Sequence, residues 1–205
     1  MQSTSAVMRR EEWAQRARQS RPWLFDLADR FAEAANQLLG ETSIGVQESM
    51  AAIRALLFSR VVCGTEALVT LAQSGFLTEA DVIYRSNLEA LFRLAALVES
   101  PQMLIQYLGE DHPRRRRAIG DIRKLRDSGN SLGISDAQLD EAERKFDREA
   151  EEFRRIHNIQ KLRELSTWDW VQAGKQFDFF HGKYLKHSNV AHHAQRDLER
   201  RITER

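Results

Sequence analysis

Between Val82 and Val98, twelve of seventeen residues are apolar and they fall on every side of a 3.6-residue helix, which marks an element enclosed by other protein. The same stretch carries Arg85, Ser86, Asn87, Glu89 and Arg93. Arg85, Glu89 and Arg93 recur every four residues, so they share one face and can pair as a ladder of ions. A charge stranded inside a bundle is costly unless it is paired and hydrogen-bonded, so whatever folds around this helix must supply partners. The preceding, largely apolar run from Ala51 to Ala72 offers two candidates, Arg60 and Glu66. Two readings follow: a buried network that fixes helix register, or a polar cleft that positions a substrate or a catalytic histidine.

The rest of the chain is compatible with helices alone. Ala and Leu supply 45 of 205 residues, Val, Ile and Thr together only 26, and glycine and proline are sparse. Pro22 opens a predicted helix in which Trp23, Leu24, Leu27, Phe31, Ala35 and Leu38 form an apolar face, closed by Gly40. A long helix is predicted from about Gly45 to Gln73, with a turn at Ser74 and Gly75. Thr78 is the expected N-cap of the helix that reaches Glu99. Ser100 and Pro101 start another that breaks near His112 and Pro113, resumes to Leu125 and dissolves over Asp127 to Gly133. Ser135 and Gln138 read as a capping box for a polar helix running to Leu165, with a thin seam of Leu139, Phe146, Phe153 and Ile156. The expected architecture is all-α: one bundle (about 22–126 plus 166–195) with a long polar helical arm (about 135–165).

Thirty-one basic against 30 acidic residues leave a formal charge of +1, so a charged partner must be met by a local patch. Arg114 to Arg117 form a collar of charge that can grip RNA phosphates, but Glu141, Glu143, Glu149, Glu151 and Glu152 follow, and internal salt bridges are the favoured reading. Cys63, beside Val61 and Val62, reads as a buried thiol in a reducing compartment. Met1 to Arg21 holds Arg9, Arg10, Arg16 and Arg18 and no apolar run long enough for a signal peptide or membrane span, so a soluble, cytoplasmic protein with no membrane partner is expected.

Aromatic residues crowd the stretch from Trp168 through Trp170, Phe177, Phe179 and Phe180 to Tyr184, interleaved with or followed by His181, His187, His192 and His193. These histidines lack the i, i+4 pairing with a further ligand that zinc needs, so neither a metal site nor another cofactor is expected. Histidine as general acid or base is the alternative, since it titrates near neutrality. The aromatic side chains can also line a small-molecule pocket or simply fill a core. Nucleotide-loop and serine-nucleophile motifs are missing from the sequence.

The run TEALVTLAQSGFLTEADVIYRSNLEALFRLAALVESP, from Thr65 to Pro101, resembles a bacterial family of helical proteins of unknown function. In that family an Arg-Ser-x-x-Glu helix is followed by a C-terminal Tyr, Ser, His cluster, matched here by Arg85, Ser86 and Glu89 and by Tyr184, Ser188 and His192. The pattern also resembles the wider HEPN group of helical bundles, many of them dimeric RNases or toxin and phage-defence components. Their signature is an Arg, four to six residues, then a His. No Arg stands there in this sequence, and Lys186 before His192 is the substitute. The resemblance implies a homodimer acting on RNA without metal, with Arg85 binding phosphate, Glu89 orienting, His192 moving the proton, and Tyr184, Ser188 and Lys186 around them, to which the preceding helix adds Arg60 and Glu66 as binding candidates. The competing expectation is a non-enzymatic module in which Arg85 and Glu89 pair structurally and the surface docks a protein partner.

Overall fold

The computed structural model describes residues 3–43, 49–129, 133–175 and 180–185, with side chains from Glu11 onward. Among them are helices α1 (Ser3–Ser20), α2 (Pro22–Glu41), α3 (Ser49–Gln73), α4 (Leu77–Glu99), α5 (Met103–Gly109), α6 (Asp111–Asp127), α7 (Asp136–His157) and α8 (Thr167–Gly174), then a helical turn at residues 180–185, and no strand. The protein is an all-α helical bundle. Its contacts gather into two compact units, Met1–Glu99 with Val171–Arg205, and Ser100–Trp170.

The first unit is organised around the α3–α4 pair. Gly75 sits at φ +80°, a left-handed conformation that glycine adopts without strain, while Phe76 N–H donates to the Leu71 carbonyl and Gly75 N–H to that of Ala72. These bonds satisfy the last carbonyls of α3 and reverse the chain. Further along, Gly64 lets α4 approach closely: a Cβ there would stand 2.4 Å from Asn87 Oδ1. Asn87 Nδ2 uses that proximity to donate to the Val61 carbonyl and to Thr65 Oγ1, at 3.1 and 3.0 Å. At the other end Arg54 Nε donates to the Leu97 carbonyl at 3.1 Å, covering the C-terminus of α4. Val62, Leu88, Phe92, Ala96 and Leu97 are buried between or beside these helices.

Three expectations for this unit are corrected. On α2 the less exposed side is Phe25, Ala28, Ala32, Ala35 and Leu39, with Ala35 buried, and Trp23, Leu24, Leu27, Phe31 and Leu38 are exposed. Cys63 is exposed, because Val61 and Val62 take the buried positions on α3. Helix α4 begins at Leu77, so Thr78 lies within its first turn instead of capping it. On the N-terminal side, Trp13 of α1 donates its indole N–H to the Ala72 carbonyl at 3.1 Å.

In the second unit the helix break falls at Glu110, and Pro113 occupies the first turn of α6, where its missing N–H costs no helical bond. The expected capping box is present: Ser135 Oγ accepts from Gln138 N–H, and Gln138 Oε1 accepts from Ser135 N–H at 2.8 Å. Helix α7 stops at His157, not Leu165, because Asn158 adopts φ 51° and ends it. Leu139 is buried and Phe146 and Phe153 half-buried, whereas Ile156 is exposed and leaves the seam. The arginine collar is consumed within the unit: Arg115 reaches Glu149, Arg116 Asp147, and Arg117 Glu164. Arg123 spans Asp140 and Glu143.

Candidate functional site

Arg85, Glu89 and Arg93 stand one above another on α4, as their spacing requires. The turn at residues 180–185 brings Tyr184 onto this ladder from 95 residues away in sequence. Its hydroxyl donates to Glu89 Oε1 at 3.0 Å and accepts from Arg85 Nη2 at 3.2 Å. Arg85 Nη2 also lies 3.3 Å from Glu89 Oε1, closing a three-membered cluster. Arg93 Nη1 donates to the Glu89 carbonyl at 3.2 Å and stands 3.9 Å from its Oε2.

The aromatic ring of Tyr184 is fixed as firmly as its hydroxyl. It lies 5.4 Å below the Arg85 guanidinium carbon and meets buried Phe92 edge-on at 6.2 Å. The His181 ring stacks with it, 6.1 Å away and only 13° from parallel. Tyr184 is buried, while Arg85, Glu89 and Arg93 keep 26%, 29% and 21% of their side-chain surface. The ion pairs are thus half-buried, not sealed in the core. Two guanidiniums facing one carboxylate give the cluster a net positive charge, and the buried Arg85 Nε–H meets no acceptor. Next to this ladder, burial pushes the Tyr84 phenol above its ordinary pKa.

The helix-to-helix partners divide differently from expectation. Arg60 donates to Ser86 Oγ at 3.0 Å, so it joins the α4 polar face. Glu66 turns away to α2 and accepts from Asn36 Nδ2 at 2.8 Å, which removes it from the cluster. Lys186, Ser188 and His192 lie outside the described residues.

Residues 51–205 match the model of a family of unknown function, DUF5677. The chain belongs to that family. The DUF5677 stretch begins two residues into α3 and contains the whole Arg85–Glu89–Tyr184 cluster, while α1 and α2 precede it. No curated protein and no solved structure matches the chain.

Sequence reasoning placed Arg93 on the ladder but missed His181 as a companion of Tyr184, and it missed the most deeply buried charge among the described residues altogether. In the second unit Glu110 is 1% exposed, and its Oε1 accepts from Leu165 N–H at 2.9 Å and from Trp170 Nε1–H at 3.2 Å. Its Oε2 pairs with Arg114 Nη2 at 2.6 Å. Trp170 is therefore core, packed edge-on to Tyr107, and its indole N–H holds a structural carboxylate. The run Gly109-Glu110-Asp111-His112 gives no periodic sign of such a burial.

Proposed function

We propose that the Arg85–Glu89–Tyr184 cluster is a phosphate site and that this DUF5677 protein is a HEPN-like, metal-independent RNA-binding or RNA-cleaving bundle of stress or phage defence. The observation that carries the reading is Arg85 itself: Glu89, one helical turn away, and Tyr184, 99 residues on, fix its guanidinium, yet its Nε–H remains without an acceptor. Preorganised cations of this kind stabilise charge that develops on a phosphoryl group without reorganising during the reaction. Tyr184 and Glu89 act as positioning residues, and Arg93 offsets the charge of Glu89.

In the cleaving form, His192 removes the proton from a ribose 2'-hydroxyl, whose oxygen attacks the adjacent phosphorus. Arg85, with Lys186, stabilises the phosphorane. The P–O5' bond then breaks to leave a 2',3'-cyclic phosphate and, after protonation, a 5'-hydroxyl. Incubation with a mixed pool of structured and single-stranded RNA in EDTA tests both forms. Cleavage or retention that is lost in Arg85→Ala supports the reading. Absence of both removes it.

The second reading is an interaction module in which the network is structural, and full occupation of the Glu89 carboxylate by Tyr184, Arg85 and Arg93 favours it. Under that reading Glu89→Ala lowers the melting temperature without any activity to lose. Because the pair keeps over a quarter of its surface, the loss is smaller than the roughly 3–5 kcal/mol of a fully buried pair.

A further inference from the structure

Helix α2 is oriented against the usual rule for an amphipathic element. Its less exposed positions are Phe25, Ala28, Ala32, Ala35 and Leu39, and most of its large residues face outward. Trp23 is 64% exposed, Leu27 and Leu38 55% each, Leu24 42% and Phe31 38%. Leu24, Leu27, Phe31, Ala34 and Leu38 follow one another at spacings of three, four, three and four, the a and d positions of a heptad seam. Charge enters the seam only at its C-terminal end, where Glu41 takes the next position after Leu38.

We propose that this face is the contact between two copies of the chain, joined as an antiparallel α2–α2 pair about a two-fold axis. The seam is self-complementary in that direction. Placing Phe31 over Ala34 of the second copy sets Leu27 against Leu38, so large meets small at the centre and leucine meets leucine outside it, with Leu24 against Glu41 at either end. A parallel pair would instead stack Phe31 on Phe31 and leave a gap beside Ala34. The flanks also match. Arg30 falls beside Gln37 of the second copy, and Gln37, whose Nε2–H donates to Glu41 at 2.8 Å, keeps its own carbonyl oxygen free to accept.

The area is sufficient. Weighted by exposure, the five large side chains leave on the order of 500 Å² of apolar surface per copy, and a two-fold pairing covers about 1,000 Å², where specific interfaces begin. The face lies N-terminal to the matched DUF5677 stretch, so it is an addition to that domain and independent of the proposed phosphate site.

Sedimentation velocity of the full chain over a wide concentration range tests the pairing. The wild type is expected at twice the chain mass, and Phe31→Glu, at the centre of the seam, at the single-chain mass, with dimer affinity lowered at least about 30-fold. A second arm does not depend on disrupting anything. In a Cys63→Ser background, Leu27→Cys combined with Leu38→Cys places two thiols about 16 Å apart along one helix, beyond the roughly 7 Å reach of a disulfide. Oxidation can then join only different copies, and a covalent dimer is expected. A wild-type protein that stays monomeric at every concentration overturns the proposal and assigns the face to another protein or another segment of this chain. A dimer indifferent to Phe31→Glu that also fails to cross-link overturns it equally.

Discussion

Glu110 is the most deeply buried charged side chain among the described residues. A carboxylate without solvent is stable only while its oxygens are satisfied, and here Leu165, Trp170 and Arg114 satisfy them. Glu110→Ala leaves the indole N–H and the Leu165 amide unpaired, and we expect a loss of about 3–5 kcal/mol in urea unfolding, with Glu110→Gln costing less. Asp169 gives a pH dependence. Hydrogen bonds from the Ser166 hydroxyl and backbone N–H, with Arg163 nearby, hold its carboxyl below the ordinary value. A depressed folded pKa means its contribution is full above the unfolded pKa, near 4, and is lost as pH falls through the lower folded value. Denaturant midpoints measured from neutral to acidic pH should drop more steeply for wild type than for Asp169→Asn. Of these residues, the α4 ladder was legible from a four-residue repeat, whereas Glu110 was not, because a single buried charge has no period to announce it.

At the scale of elements, the α3–α4 pair depends on the missing side chain at Gly64. Alanine has the better helix propensity by roughly 1 kcal/mol, yet its Cβ would strike the Asn87 amide that bonds Val61 and Thr65. The clash should win, and Gly64→Ala is expected to destabilise by about 1–3 kcal/mol in chemical denaturation. A variant as stable as wild type would mean that Asn87 can swing aside without cost. Helix starts and stops carried by specific chemistry were readable in advance: Pro22, Gly75 and the Ser135–Gln138 box. The orientation of α2 was not. Periodicity identifies an apolar face but not what covers it, and on α2 Ala35 serves the chain's own core while Trp23, Leu24, Leu27, Phe31 and Leu38 are exposed. The end of α7 was overrun for a related reason, since Asn158 acts through its left-handed backbone and the apolar spacing continues past it.

For the molecule as a whole, the all-α class followed from abundant Ala and Leu with few β-branched residues, a property of total composition that no local exception disturbs. Helix α3 alone among the described helices is long and apolar enough to cross a membrane, with mean hydropathy 1.5, and in this fold it packs against α4, α2 and α1. The meeting of Tyr184 with Arg85 was legible only through resemblance, because no local pattern links residues 99 positions apart. That meeting is the centre of the account, and Tyr184→Phe interrogates it with a single oxygen. Removing the hydroxyl should cost only about 0.5–1.5 kcal/mol of stability while leaving Arg85 held by its direct contact with Glu89 alone. The most direct measurement is RNA retention and cleavage in EDTA by wild type, Tyr184→Phe and Arg85→Ala, each confirmed folded by its thermal melt. The account predicts activity in the wild type, a marked loss in Tyr184→Phe and none remaining in Arg85→Ala. Equal activity in all three, or none in the wild type, would contradict it.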